Sequence, residues 1–213
     1  MAIVQNPLIG RASGSFSNVT FLTRYGKNII KSKSLGSNLP PSASQLSQRN
    51  KFGNAVAFYK KNQAFLNFFL SAMVTNMSAF NKFIALNIAI FSTVANTALT
   101  TAATGLKFAI GDLDVIVPGA ISVSTGLHIT VGGTITTNPV KSKATDSISI
   151  IMFNRTTSML AKIDILRSAW VVANVIVCPF AAGTVCDVFL MTHDGVLINH
   201  SSSVFVGTVT ILA

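Results

Sequence analysis

The chain reads as an α+β protein, with an N-terminal β-hairpin and phenylalanine-rich helices followed by a β-sandwich. Three observations carry this reading. Apolar residues recur in strand-like runs up to about position 33, at three- and four-residue steps from about 45 to 91, and in short alternating runs after Gly111. Beyond Gly111, Val, Ile, Thr and Ser dominate, and Gly or Pro interrupts every several residues. The charge changes at the same point. There is no glutamate, and the six acids (Asp112, Asp114, Asp146, Asp164, Asp187 and Asp194) all follow position 111, whereas eleven Lys and Arg precede it. Two regions follow: a basic hairpin-plus-helices region at 1–111 and a β-sandwich domain at 112–213.

In chain order, Ser15–Thr23 is β-rich, Tyr25-Gly26-Lys27-Asn28 is a turn and Ile29–Lys33 is the returning strand. Gly and Asn supply the positive φ a tight hairpin needs. Gly36–Ser44 is a loop, in which Pro40-Pro41 blocks helix and Ser42 or Ser44 can cap the helix that follows. From Gln45 to about Leu70, Leu46, Phe52, Val56, Tyr59, Ala64 and Phe68 recur at helical spacing with imperfect phase. Ser71–Thr75 breaks that helix. Ser78 can cap a second one carrying Phe80, Phe83, Ile84, Ile88 and Phe91.

The strands expected after Gly111 are Leu113–Val117, Ala120–Thr125, His128–Val131, Ser147–Asn154, Met159–Leu166, Asn174–Phe180, Thr184–Thr192 and Ser203–Leu212. Their number and spacing point to an immunoglobulin-like or fibronectin-like sandwich. No Cys…Trp…Cys spacing is present, so a true immunoglobulin domain is not expected. His193-Asp194-Gly195 reads as a hairpin turn.

The chain is 213 residues long, half of them hydrophobic and only 10 % charged. Soluble domains carry roughly a quarter charged residues. A surface so poor in charge fits assembly with copies or neighbours, which cover apolar patches; a Ser-, Thr- and Asn-covered monomer is the alternative. The N-terminus lacks the basic and apolar regions of a signal peptide. The most hydrophobic run, Phe83–Ile110, holds Asn87, Asn96, five threonines and Gly105, which makes it a poor membrane span. Membrane contact is therefore not expected.

Certain residues carry a resemblance. Asn6-Pro7-Leu8-Ile9-Gly10-Arg11, Phe16-Ser17-Asn18-Val19-Thr20-Phe21, Tyr25-Gly26-Lys27-Asn28, and Gln48-Arg49 with Lys51-Phe52 resemble a family of proteins from Bacteroidota bacteria, their phages and prophages. That family has an N-terminal "NP-x-I-G" hairpin, a "QR-x-x-F" helix start, a phenylalanine-rich helical middle and a β-rich end. The likeness is best over about the first 90 residues. The chain carries Asn38-Leu39-Pro40-Pro41-Ser42 where the family often has an Asn-Pro-Arg-Thr type segment. The resemblance supplies no catalytic residue. It implies a phage-borne or prophage-borne protein, a virion part made in the host cytoplasm.

The chemistry-bearing residues are sparse. Asp112 and Asp114 would face the same way in a strand and could form a hydrolase pair or hold a divalent cation; a solvated junction between regions is the plainer reading. His193 and His200 flank the expected turn and can approach each other, while His128 would have to arrive from another strand. Cys178 and Cys186 read as two small buried hydrophobes, with a hairpin disulfide as the alternative. A Cys186–His193 nucleophilic pair has no orienting motif beside it. Gly132-Gly133 sits between strands and is no phosphate loop. No cofactor and no metal site are expected.

The strongest functional signal is basic. Arg24, Lys27, Lys31 and Lys33, with Arg49, Lys51, Lys60 and Lys61 on the following helix, can form a positive face for nucleic acid or for an acidic partner. Phe16, Phe21 and Tyr25 interleave with it and could stack on bases, or belong to the core. Phe65, Phe68, Phe69 and Trp170 are candidate interface aromatics.

The expected function is structural: a capsid or tail-associated virion protein acting by protein–protein assembly, its basic half facing packaged DNA or an acidic neighbour. A nucleic-acid-binding accessory protein outside any particle is the alternative, and a metal-dependent hydrolase using Asp112 and Asp114 is a third. The expected partners are copies of the chain or other virion proteins, with packaged DNA a further candidate.

Overall fold

A computed structural model describes residues 2–4, 13–24, 26–33, 40–70, 77–97, 99, 103–114, 116–135, 143–194 and 199–213. The expected opening motif Asn6–Gly10, Tyr25 of the turn, Gly36–Leu39 of the loop, the Ser71–Thr75 break and Gly195 lie outside the described residues. The chain divides by contacts into two compact units, Met1–Ser42 and Ala43–Ala213. The sequence-level division at residue 111 follows charge, whereas this one follows packing.

The first unit is a four-stranded antiparallel sheet. Its strands are β1 (Ala2–Val4), β2 (Gly14–Phe16), β3 (Val19–Arg24) and β4 (Lys27–Ser32), in the order β1-β4-β3-β2. The expected single strand Ser15–Thr23 is itself a hairpin, folded at Ser17-Asn18 with Phe16 paired to Val19. Ser17 has φ 50, a left-handed value that the short turn imposes. The second hairpin closes at Gly26, φ 74, between the Arg24–Lys27 pair. Ser15 Oγ lies 3.1 Å from Thr20 Oγ1, and Thr23 Oγ1 donates to Asn28 Oδ1 at 2.9 Å, each within a paired position.

Among the described residues, the second unit opens with the helices α1 (Ala43–Lys61), α2 (Gln63–Leu70) and α3 (Ala79–Asn87). The long helix expected from Gln45 to Leu70 is interrupted at Asn62. α3 begins as expected, with Ser78 Oγ accepting from the Asn81 N–H at 3.2 Å. The strands that follow among the described residues are β5 (Ile116–Ser124), β6 (His128–Ile135), β7 (Ser147–Asn154), β8 (Met159–Leu166), β9 (Ala173–Val177), β10 (Val185–His193) and β11 (Val204–Thr210). They form two antiparallel sheets, β11-β10-β7-β8 and β5-β6-β9. The fold is thus α+β with a β-rich C-terminal half. The two strands expected at 113–117 and 120–125 are one strand, β5, because Gly119-Ala120, opposite Gly132, forms a bulge between the Pro118–Gly133 and Ile121–Val131 pairs rather than a turn.

β7 and β10 lie at the centre of the larger sheet and are buried along nearly their whole length. Alternation accounts for this. Ile148, Ile150 and Met152 of β7, with Val188 and Leu190 of β10, share a core with Ile116, Ile129, Val131 and Ile176 of the smaller sheet. Ile151 and Phe153, with Phe189 and Met191, share the other core with Phe58, Tyr59, Leu66, Phe69 and Phe83 of the helices. Both faces of these strands are covered, so they read as continuous apolar runs. Of the expected phenylalanines, Phe83 and Phe91 are core, with the Phe58 and Phe83 rings stacked at 5.7 Å and Phe91 edge-on to Phe58, whereas Leu46, Phe52 and Phe68 of the stripe expected on the first helix are exposed, because Ala55, Phe58, Leu66 and Phe69 form the buried face instead. At the junction Gly111 is required by space, since a Cβ there would sit 1.9 Å from the His200 carbonyl oxygen.

Three buried asparagines tie the helices to the chain around them. Asn62 donates to the carbonyls of Phe58 and Ser158 and accepts from the Leu160 N–H at 2.9 Å. Asn54 donates to Ser92 and Val94 carbonyls and accepts from Thr97 N–H. Asn87 donates to Phe83 and Lys107 carbonyls and accepts from Lys107 N–H. Each replaces backbone partners lost where a helix ends or a loop passes.

Candidate nucleic-acid interface

Strand pairing assigns a side to each base of the first unit. Residues paired across an antiparallel ladder point to the same side, and successive residues alternate. Thr20, Leu22 and Arg24 of β3 pair with Lys31, Ile29 and Lys27 of β4. Arg24, Lys27 and Lys31 therefore share one face. The Lys33 N–H donates to the Asn18 carbonyl at 2.7 Å, which extends the ladder one step and keeps Lys33 in phase with Lys31. Val19, Phe21 and Thr23, with Ser32, Ile30 and Asn28, take the opposite face.

The four bases are all exposed, and no Asp or Glu occurs in this unit. Lys27 to Lys33 spans roughly 20 Å along the strand. Sequence reasoning found this cluster, and the two-residue period of β4 is the signal that orders it. Of the aromatics expected to interleave, Phe16 is 79 % exposed and Phe21 half-buried. Both lie on the face away from the four bases, since Phe16 pairs with Val19.

The other expected bases, Arg49, Lys51, Lys60 and Lys61, sit on α1 in the second unit. At 100° per residue Arg49 and Lys60 fall on one line, opposite the buried Ala55, Phe58 and Asn62. Lys61 is exposed on a flank, and Lys51 is half-buried.

The expected interface aromatics separate. Phe69 is 1 % exposed and belongs to the core, where its ring meets Phe65 and His193, so it offers no free surface. Phe65 is half-buried against Phe69 and Phe108. Phe68 is 43 % exposed, and the Lys162 ammonium lies 3.9 Å from its ring centroid. Trp170 is half-buried, and its indole N–H donates to the Gly133 carbonyl at 3.0 Å.

The remaining chemical candidates are dispersed. Asp112 is exposed and bridges Ser201, while Asp114 is half-buried, and neither lies in a strand. His193 and His200 pair across an isolated bridge, and Asp194 N–H meets the Asn199 carbonyl, so the chain does reverse there. The His193 Nδ1 contacts the Asp194 carbonyl at 2.7 Å, which can only accept, so Nδ1 carries the proton. Cys178 and Cys186 are free and buried in the inter-sheet core. Burial, then the neighbouring Cys178, pushes the Cys186 thiol up to about 12. Among the described residues no group of three or more His, Cys, Asp and Glu could hold a metal ion. No helix among them is long and apolar enough to cross a membrane.

Two polar clusters escaped the sequence reading, because most of the partners in each lie far apart in the chain, Lys162 and Asp164 excepted. Asp187, fully buried, receives the Arg155 guanidinium at 3.0 and 2.6 Å, the Thr208 hydroxyl at 2.5 Å and the Ala103 N–H at 3.0 Å. That contact with Asp187 raises the Arg155 pKa against its partial desolvation. Asp164 receives Ser149 Oγ at 2.6 Å and Lys162 Nζ at 2.5 Å, with His193 Nε2 3.8 Å away. Burial alone would push the Asp164 pKa up, but these neighbours outweigh it and hold it well below the usual carboxylate range.

A family model matches residues 12–207, and the chain belongs to that family, described as a family of unknown function (DUF6266). No curated protein and no solved structure matches it.

Proposed function

Starting from that membership, we propose that the protein is a non-catalytic structural component that works by assembly, and that the basic face of its N-terminal sheet holds a polyanion. The observation that carries this is the placement of Arg24, Lys27, Lys31 and Lys33 on one side of the sheet, in a unit without a single acid. Phosphate neutralisation asks for such a row and for no particular base sequence. The setting we propose is a phage virion of Bacteroidota, with packaged DNA or an acidic neighbouring subunit as the polyanion.

The second unit supports the assembly side of the proposal. We read its two sheets as an immunoglobulin- or fibronectin-like sandwich. Sheet β5-β6-β9 faces sheet β8-β7-β10-β11 across a shared core, and only the fourth strand departs from the constant-type immunoglobulin order, pairing with the third instead of the fifth. β9 pairs with β6 alone among the described strands and is an edge. Val175 and Val177 on it are 62 % and 57 % exposed, and Val171 and Val172 just before it are exposed too. An edge strand with outward valines is a template for pairing with a second copy.

Size-exclusion chromatography with light scattering, at low and high salt and with and without DNA, tests this. The reading predicts a discrete assembly larger than one chain that forms without DNA, and its loss in Val175→Lys/Val177→Lys. Mass spectrometry of purified particles should find the chain. A dilute-solution monomer that is absent from particles contradicts the reading. A monomer that shifts only with DNA at low salt favours an accessory DNA-binding protein outside any particle.

A further inference from the structure

The edge strand β9 shows its hydrogen-bond phase at its two ends. The Gly133 N–H donates to the Val172 carbonyl at 3.1 Å, and the Cys178 N–H donates to the Leu127 carbonyl at 2.8 Å. In an antiparallel ladder such bonded positions recur at every second residue. Val172, Asn174, Ile176 and Cys178 therefore turn their backbone groups toward β6, in step with the Asn174–Val131 and Ile176–Ile129 pairs. Ala173, Val175 and Val177 turn theirs away from it. Among the described residues β9 pairs with β6 alone, so these outward donors and acceptors meet no strand.

Both ends of this free stretch are closed. At one end the Asn174 side chain donates to the Val171 carbonyl at 2.6 Å and accepts from the Val171 N–H at 3.3 Å. At the other end the next residue in phase is Pro179, which has no N–H to offer. What remains is the set of N–H and C=O groups of Ala173, Val175 and Val177, centred on Val175. Residues 171–180 carry no charged side chain. Two copies of this basic chain can therefore meet there without setting like charges against each other.

We propose that β9 pairs antiparallel with β9 of a second copy about a twofold axis at Val175. The contact rests on the assembly proposed above and fixes its symmetry and register. Val175 faces Val175 of the second copy, and Ala173 faces Val177. Every outward N–H and C=O of both strands then finds a partner. Val171 falls opposite Pro179, so the positions already closed face each other. A shift of two residues either way leaves outward groups unpaired on each chain. The side chains agree with this register. Val175 and Val177 are exposed, and the small Ala173 lines a groove of about 290 Å³ with Gly132 and Val172. Val177 of the second copy is seated beside that groove. Two short strands bury less than the roughly 800 Å² per partner of a standard interface, so the contact fills as the protein is concentrated into the micromolar-to-millimolar range.

Amide hydrogen exchange of the full-length protein, read by NMR at low and high concentration, tests this. Asn174, Ile176 and Cys178 are expected to exchange slowly throughout, and Ala173, Val175 and Val177 to slow by about tenfold or more as the concentration rises. Val175→Pro removes a donor that β6 does not use, at a place where an edge strand tolerates proline. Asn174 and Ile176 should stay protected in it while the concentration dependence disappears. Two further variants leave the backbone untouched. Ala173→Glu/Val177→Lys sets opposite charges together across the axis and should still pair, whereas Val175→Lys sets like charges together and should not. Four outcomes overturn this contact and leave assembly through another surface standing: an assembled chain whose three outward amides stay fast, outward amides that are already slow in the monomer, pairing that survives Val175→Pro or Val175→Lys, and pairing lost in Ala173→Glu/Val177→Lys. A chain that stays monomeric at every concentration overturns both the contact and the assembly.

Discussion

Asp187 and Arg155 form a two-pronged ion pair. The carboxylate is fully buried and four donors converge on it, so it pays its desolvation only while all are present. Arg155→Ala leaves that carboxylate with Thr208 and the Ala103 N–H alone. The expected loss is about 3–5 kcal/mol in urea unfolding, and a loss below 1 kcal/mol would show that the pair is not structural. Asp164 behaves differently, because it is partly exposed. Its folded pKa is depressed, so its contribution is fully present above the unfolded value of about 4 and is lost as pH falls through and below it. The stability gap between wild type and Asp164→Asn should therefore hold above about pH 5 and close on acidification; a gap that does not change with pH contradicts this. Neither cluster was legible in the sequence. Asp187 reads as an intruder in an apolar strand until Arg155 arrives from the β7–β8 turn and Thr208 from β11.

Strand periodicity carried most of the element-level reading. β7 and β8 begin and end where alternation and turn residues place them, since both strands pair along their full length. The break between α1 and α2 was hidden, because the residue that makes it acts through partners at Ser158 and Leu160, nearly a hundred positions on. Asn62→Ala removes three hydrogen bonds and leaves a buried N–H and a buried carbonyl unpaired. Its expected cost is about 2–3 kcal/mol, measured by thermal or urea unfolding. An unchanged stability would mean that α1 and the β7–β8 turn are held by packing alone. The change of charge at Gly111 falls inside the second unit. The phenylalanine-rich helices and the outer face of the β7–β10 sheet share one core, and Phe69 is spent inside it.

For the whole molecule, the charge asymmetry and the strand register meet in one claim: the face formed by Arg24, Lys27, Lys31 and Lys33 holds a polyanion. The sequence displayed the cluster because strand period places residues 27, 31 and 33 on one side whatever the rest of the fold does. What it could not display is which other surfaces the chain offers, since the α1 bases and the exposed valines of β9 depend on long-range packing. DNA affinity measured across a salt series, for the wild-type chain and for Lys27→Gln/Lys31→Gln/Lys33→Gln, bears on that claim alone. The three lysines lie on an exposed face, so the variant should fold as wild type. If they neutralise phosphates, the slope of log K against log salt should become shallower by about 3 in the variant. Equal slopes for the two proteins, or no DNA retention by the wild type at low salt, would contradict a DNA-holding face and leave an acidic protein as the polyanion to seek.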